Sequence, residues 1–106
     1  MDYEITPQEL KQRQGRSEEL FLLDVREFWE RQTASILPSE HIPMSEIPAR
    51  VQELDPEQHI VVYCHHGVRS LSVTDWLRKQ GYEKVQSVSG GIDRWSLEID
   101  PKVLRY

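Results

Sequence analysis

The sequence predicts a single α/β domain with a mainly parallel central sheet flanked by helices on both faces, and three observations support this. Two apolar runs of strand length, Leu20-Phe21-Leu22-Leu23-Asp24-Val25 and Ile60-Val61-Val62-Tyr63, lack the alternation of a half-exposed strand and read as strands buried on both faces. Segments with apolar residues at helical spacing lie between the strand runs, so strand and helix alternate along the chain. The length of 106 residues fits one domain with one core and leaves no room for a second.

In order along the chain, Thr6-Pro7-Gln8-Glu9 reads as a capping box with proline at the first helical position, starting a short helix through Leu10 that ends before Gly15. The Leu20 run follows as a strand, and Glu27 to Arg31 as a short helix. Ile36-Leu37-Pro38 and Ile42-Pro43 keep the chain extended, because proline disfavours helix in the residue before it, and a short strand is expected near His41 and Ile42. Ser45 is expected to cap a helix with Ile47, Val51 and Leu54 on one face, stopped by Asp55-Pro56. After the Ile60 strand, Leu71, Val73, Trp76 and Leu77 mark a helix that runs to Gln80 and ends at Gly81 as a left-handed cap. Val85 to Val88 reads as the last strand, followed by a turn at Gly90-Gly91 and a short helix holding Trp95. The tail from Glu98 to Tyr106 is expected to pack along the surface. The three tryptophans read as core or boundary residues, with Trp29 able to wall a pocket.

Composition narrows the function classes. The formal charge is -5, with 29% charged residues of scattered sign and no basic stripe, which argues against binding nucleic acid or a membrane surface. One cysteine excludes an internal disulfide, and no apolar run approaches the roughly 18 residues of a membrane span. Met1-Asp2-Tyr3-Glu4 has neither a basic nor an apolar leader region, so a reducing cytoplasm is the expected compartment; a monomer is the default expectation.

The most informative stretch is Cys64-His65-His66-Gly67-Val68-Arg69-Ser70, which carries the single cysteine from a buried strand into a turn that opens a helix. In open parallel sheets ligands bind beyond the carboxyl ends of the strands, where Cys64 and Asp24 both fall. A turn winding into a helix start directs backbone N–H groups inward and adds the positive end of the helix dipole, so it favours an anion, either a thiolate or an anionic substrate. Arg69 adds a permanent charge, and such surroundings make a nucleophile of a cysteine. A lone cysteine at a strand end is more commonly a small buried hydrophobe. A core-filling cysteine, however, has no need of Gly67, Arg69, Ser70 and two histidines within one turn.

The same stretch closely resembles the active-site loop of the rhodanese-like sulfurtransferases. Leu22-Leu23-Asp24-Val25-Arg26-Glu27 resembles that family's early strand signature, and Ile42-Pro43-Met44-Ser45-Glu46-Ile47 is similar to its middle segment. Val85-Gln86-Ser87-Val88-Ser89-Gly90-Gly91-Ile92-Asp93-Arg94-Trp95 resembles its closing strand and Gly-Gly helix. The four motifs stand in family order over about residues 4–96 of a single rhodanese-like domain spanning 1–106, with 98–106 as a tail. One departure is Ala34-Ser35-Ile36-Leu37-Pro38-Ser39, where the family usually has Gly-His-Ile-Pro-Gly-Ala. Losing those glycines removes positions that take positive φ, so the local path is expected to differ.

The resemblance implies a sulfurtransferase in which the Cys64 thiolate takes the outer sulfur of a donor such as thiosulfate, or of a protein persulfide. The Cys64 persulfide then passes that sulfur to cyanide, a thiol or a protein acceptor. Inward N–H groups from His65 through Ser70 would stabilise both thiolate and persulfide, and Gly67 lets the turn close. The substrate-binding set is thus His65, His66, Gly67, Val68, Arg69 and Ser70, with Asp24 and Arg26 supporting the loop or pairing with each other and Glu27. Arg69 either binds an anionic donor or locks the loop through a carboxylate, and His65 and His66 either attract the donor or face solvent. Ser70 is read as a hydrogen-bonding group rather than a nucleophile.

No cofactor is expected. Three consecutive residues in a tight turn cannot easily face one ion, so no metal is expected either. The related phosphatases and arsenate reductases have one residue more between cysteine and arginine than the four found here. The shorter loop suits a single sulfur atom rather than a tetrahedral anion. The alternative from another class is a non-catalytic rhodanese-fold binding or sulfur-relay module. A redox sensor would need an external resolving thiol.

Overall fold

The computed structural model describes residues 1–16 and 19–106. Five strands form one sheet: β1 (Glu4–Ile5), β2 (Phe21–Asp24), β3 (Glu40–His41), β4 (Ile60–Tyr63) and β5 (Val85–Val88), in the spatial order β1-β5-β4-β2-β3. All four pairings are parallel, with Leu23 opposite Val62 and Asp24 opposite Tyr63 at the centre. The helices are α1 (Pro7–Gly15), α2 (Phe28–Thr33), α3 (Ile47–Arg50), α4 (Val68–Lys79) and α5 (Gly91–Glu98).

Alternation along the strands divides the core in two, because successive side chains leave opposite faces of a sheet. Leu23, Val25, Ile60, Val62, Cys64 and Val85 meet Ile47, Leu54, Val73 and Leu77 from the α3 and α4 side. Leu22, Val61, Tyr63 and Val88 meet Leu10, Ile92 and Trp95 from α1 and α5. Helices therefore cover both faces, as the unbroken apolar runs require. Cys64 leaves β4 on the face of α4, the helix whose first turn follows the loop.

Local signals explain the ends of several elements. Thr6 Oγ1 accepts from the Glu9 amide at 3.1 Å, while the Glu9 carboxylate turns to Arg13 instead of closing the box. α4 ends in a Schellman arrangement: Gly81, at φ 99°, donates to the Arg78 carbonyl and Tyr82 to the Leu77 carbonyl.

Two expectations are corrected, and one strand is additional to them. β1 was not anticipated, since two residues ahead of α1 carry no periodic signal. Gly15 lies inside α1, and Arg16 is its cap. Ser45 does not cap a continuous helix, because the segment runs as a 3₁₀ turn at Met44–Glu46, the four-residue α3 and a second 3₁₀ turn at Val51–Glu53. The Met44 amide is tied to the Val25 carbonyl at 2.9 Å, and Pro48 sits in the first turn of α3, so the segment follows the end of β2 rather than its own capping signal. The tail packs along the surface as expected, and it also makes contacts the sequence does not announce. Val103 and Tyr106 pack against the α1–α5 core, and Tyr106 reaches the Cys64 loop.

Candidate functional site

Loop 64–70 is the centre of the site. Cys64 is 1% exposed, and its Sγ accepts from the backbone amides of Gly67 at 3.2 Å and Ser70 at 3.3 Å, with Ser70 Oγ at 3.4 Å. Two loop amides reach the sulfur, a narrower set than the His65-through-Ser70 array the sequence suggests. Ser70 Oγ in turn lies 2.7 Å from Ser87 Oγ, and both hydroxyls are fully buried. The Ser70 hydroxyl donates to the Gly67 carbonyl at 3.2 Å while the Cys64 thiol donates to it; beside a thiolate its one proton would turn from that carbonyl to the sulfur, with Ser87 as its remaining partner.

Two glycines allow this shape. Gly67 caps α4 at φ 104°, a left-handed conformation that costs an L side chain strain. Gly91, at φ 62°, opens α5 directly beneath the loop, where a Cβ would collide with the Cys64 and His65 carbonyl oxygens. Those carbonyls are held by the first amides of α5, Ile92 to Cys64 at 2.9 Å and Asp93 to His65 at 3.1 Å. With these loop carbonyls bound on the α5 side, the Gly67 and Ser70 amides are left facing the sulfur.

Arg69 makes a two-point ion pair with Glu30 of α2, Nη1 to Oε1 at 2.6 Å and Nη2 to Oε2 at 2.9 Å. Burial alone would raise the Glu30 pKa, but the hydrogen bonds from Arg69 and Tyr106 outweigh it and hold the carboxyl at about 2. The Glu30 hydrogen bonds also raise the Arg69 pKa, so the pair is ionised throughout the physiological range. This is the loop-locking geometry of the two readings for Arg69.

Asp24 and Arg26, both fully buried, pair with each other: Oδ1 takes the Arg26 Nε at 2.9 Å and Oδ2 takes Nη2 at 2.8 Å. Burial opposes the Asp24 charge, and the Arg26 hydrogen bonds more than compensate, lowering its pKa. Arg31 and the Tyr63 hydroxyl also bond Asp24. Glu27, which the sequence offers as a further partner, does not join them; its amide donates to Glu30 Oε1 at the start of α2.

His65 and His66 stack at 3.9 Å between ring centroids, and His65 stacks on Tyr106 at 4.0 Å with 11° between planes. Burial, reinforced by His66, lowers the His65 pKa, so His65 is neutral at pH 7 and does not draw in an anion by charge. His66 is exposed. Val68, 80% exposed, projects from the loop into an open groove of about 490 Å³ lined also by Glu4, His66, Gly67, Leu71 and Asp75. Trp29 is 60% exposed and meets the edge of Tyr106 at 5.9 Å, so it belongs to the surface beside the loop and not to the core.

His65, His66 and Asp93 each bring a ligand atom within 4.8 Å of the others, which makes them the residues nearest to a metal-binding set among those described. Stacked rings direct their lone pairs along nearly parallel planes, and Asp93 is engaged by Arg105 at 2.9 Å. The arrangement does not suit chelation of one ion by both histidines.

Sequence reasoning missed Glu30, Ser87 and Tyr106. Glu30 lies three residues after Glu27 in a capping pattern, a signal for a helix start that says nothing of a partner 39 residues later. Among the described residues no helix is long and apolar enough to cross a membrane.

The chain and its fold have counterparts among known proteins. A family model described as Rhodanese-like domain matches residues 6–98. The putative sulfurtransferase YtwF of Bacillus subtilis is 38% identical over 99 residues, 93% of this chain and 95% of that protein. The thiosulfate sulfurtransferase GlpE of Coxiella burnetii is 30% identical over 80 residues, 76% of this chain and 75% of its own length. The crystal structure of a rhodanese-related protein from Thermoplasma volcanium superposes with a TM-score of 0.85 at 30% identity, covering 99% of this chain and all of that one.

Proposed function

The chain belongs to the rhodanese-like domain family, and from that premise we propose that it moves a sulfane sulfur from a donor such as thiosulfate to a thiophilic acceptor through a Cys64 persulfide. Family membership supports sulfurtransferase or sulfur-relay activity in general. The observation that carries the specific reading is the Cys64 sulfur between the Gly67 and Ser70 amides with the Ser70 hydroxyl alongside. These neutral donors stabilise a thiolate, and after transfer a terminal persulfide sulfur, without forming a bond to either.

In the first half-reaction the Cys64 thiolate attacks the outer sulfur of thiosulfate. A Cys64 S–S bond forms, the thiosulfate S–S bond breaks, and sulfite leaves with the electron pair. In the second, cyanide or a thiolate attacks the terminal sulfur, and the Cys64 thiolate departs with the electrons of the broken bond. No metal or cofactor enters either step. Gly67 and Ser70 act through their amides and Arg69 holds the loop through Glu30, while His66 and Val68 line the open groove beside the loop.

Initial rates at several fixed cyanide concentrations test the reading. A covalent intermediate gives parallel double-reciprocal lines against thiosulfate, whereas intersecting lines, or no turnover with thiosulfate and cyanide, contradict it.

A further inference from the structure

We infer that Tyr106 is a positioning residue for the Cys64 loop, its hydroxyl orienting Glu30 and through it Arg69, while its ring backs His65. The inference rests on the proposed sulfur transfer for its functional consequence.

The Glu30 carboxylate is engaged at both oxygens. Oε1 accepts from Arg69 Nη1 and from the Glu27 amide at 3.0 Å, and Oε2 from Arg69 Nη2 and from the Tyr106 hydroxyl at 2.7 Å. The Tyr106 hydroxyl also receives Arg26 Nη1 at 2.8 Å. Its orientation is forced, because a guanidinium only donates and an ionised carboxylate only accepts, so the phenol must accept from Arg26 and donate to Glu30. Arg26 is fixed by Asp24 inside the fold, so a continuous line of hydrogen bonds runs from the buried Asp24–Arg26 pair through Tyr106 and Glu30 to Arg69.

A two-point guanidinium–carboxylate pair needs both groups held near one plane. Arg69 is about one-third exposed on a long side chain, so the rigid partner has to be Glu30. Tyr106 fixes its plane. Burial, reinforced by the Glu30 hydrogen bond, pushes the Tyr106 pKa up to about 12, so the proton needed for that bond is present at neutral pH. The segment carrying Tyr106 is itself anchored to α5: Ser96 Oγ donates to the Val103 carbonyl, and Arg105 pairs with Asp93, whose amide holds the His65 carbonyl.

The test compares Tyr106→Phe, which keeps the ring on His65 and removes the hydroxyl, with Tyr106→Leu, which removes both, each alone and in a Glu30→Gln background. Two rates are read on folded protein well below each variant's Tm: kcat/KM for thiosulfate with cyanide, and the alkylation of Cys64 by iodoacetamide. Tyr106→Phe is expected to lower both about fivefold, and Tyr106→Leu further. In the Glu30→Gln background, adding Tyr106→Phe should change either rate by less than about twofold, because the two-point pair with Arg69 is already broken. Wild-type rates in Tyr106→Phe overturn the inference, as does a loss of the same size with and without Glu30. A wild-type protein that does not turn over thiosulfate defeats the sulfur-donor reading, and the alkylation rates then decide the role of Tyr106 by the same criteria.

Discussion

The two ends of the Cys64 loop are held by different physics. At the sulfur end, Sγ meets two backbone amides and one hydroxyl, all uncharged, in a setting 1% exposed. At the guanidinium end, Arg69 meets a carboxylate, and a charged network continues through Tyr106 to Arg26 and Asp24. A cation paired directly with the thiolate would hold it in place and blunt its attack. In the proposed transfer, dipoles would stabilise the charge and remain in place as it moves one atom outward. The positive charge that the sequence places beside the nucleophile is paired directly with Glu30, with a smaller through-space interaction with Cys64.

Substitutions at each end sharpen or break that comparison. The largest effect belongs to Cys64→Ala, which should abolish sulfur uptake from thiosulfate while leaving the far-UV circular dichroism of the fold unchanged. Next comes Gly91→Ala, whose methyl meets the carbonyls that shape the sulfur end. We expect a loss of about 3 kcal/mol or more in urea unfolding, with sulfur transfer falling by about 100-fold in whatever remains folded.

Glu30→Gln probes the charged end. Glu30 has its pKa lowered from 4.5 to about 2 in the folded protein, so the stability it contributes is present above pH 4.5 and lost as pH falls through about 2. The variant should be less stable than wild type at pH 7, by on the order of 3 kcal/mol, and its stability should fall less between pH 4.5 and 2. An acid limb identical to wild type would remove the charged end from the account. Ser70→Ala deletes one of three contacts to sulfur and leaves the Ser87 hydroxyl short of a partner, for an expected loss of about tenfold in the rate of sulfur uptake. His66→Ala, at an exposed position of the groove, should alter that rate by about twofold or less.

How legible these regions were depends on sequence distance. The sulfur end lies within seven consecutive residues, and its strand, glycine and helix start are local signals, so Cys64, Gly67 and Ser70 fall where the pattern puts them. The charged end is assembled from residues far apart: Glu30 meets Arg69 across 39 positions and Tyr106 across 76, and no local periodicity encodes either contact. A carboxylate partner for Arg69 was among the readings, but nothing in the chain singled out Glu30. The strands of the sheet centre were readable because burial on both faces leaves an unbroken apolar run. β1, two residues long, leaves none. The Ser45 helix failed because the tether of Met44 to Val25 and Pro48 in the first turn of α3 outweigh a capping signal.

Intact mass spectrometry of the reduced protein after thiosulfate, and again after cyanide, tests the central claim most directly. The account predicts a gain of about 32 daltons, one sulfur, that is absent in Cys64→Ala and is removed by cyanide. No gain in the wild-type protein, or a gain that survives loss of Cys64, would contradict it.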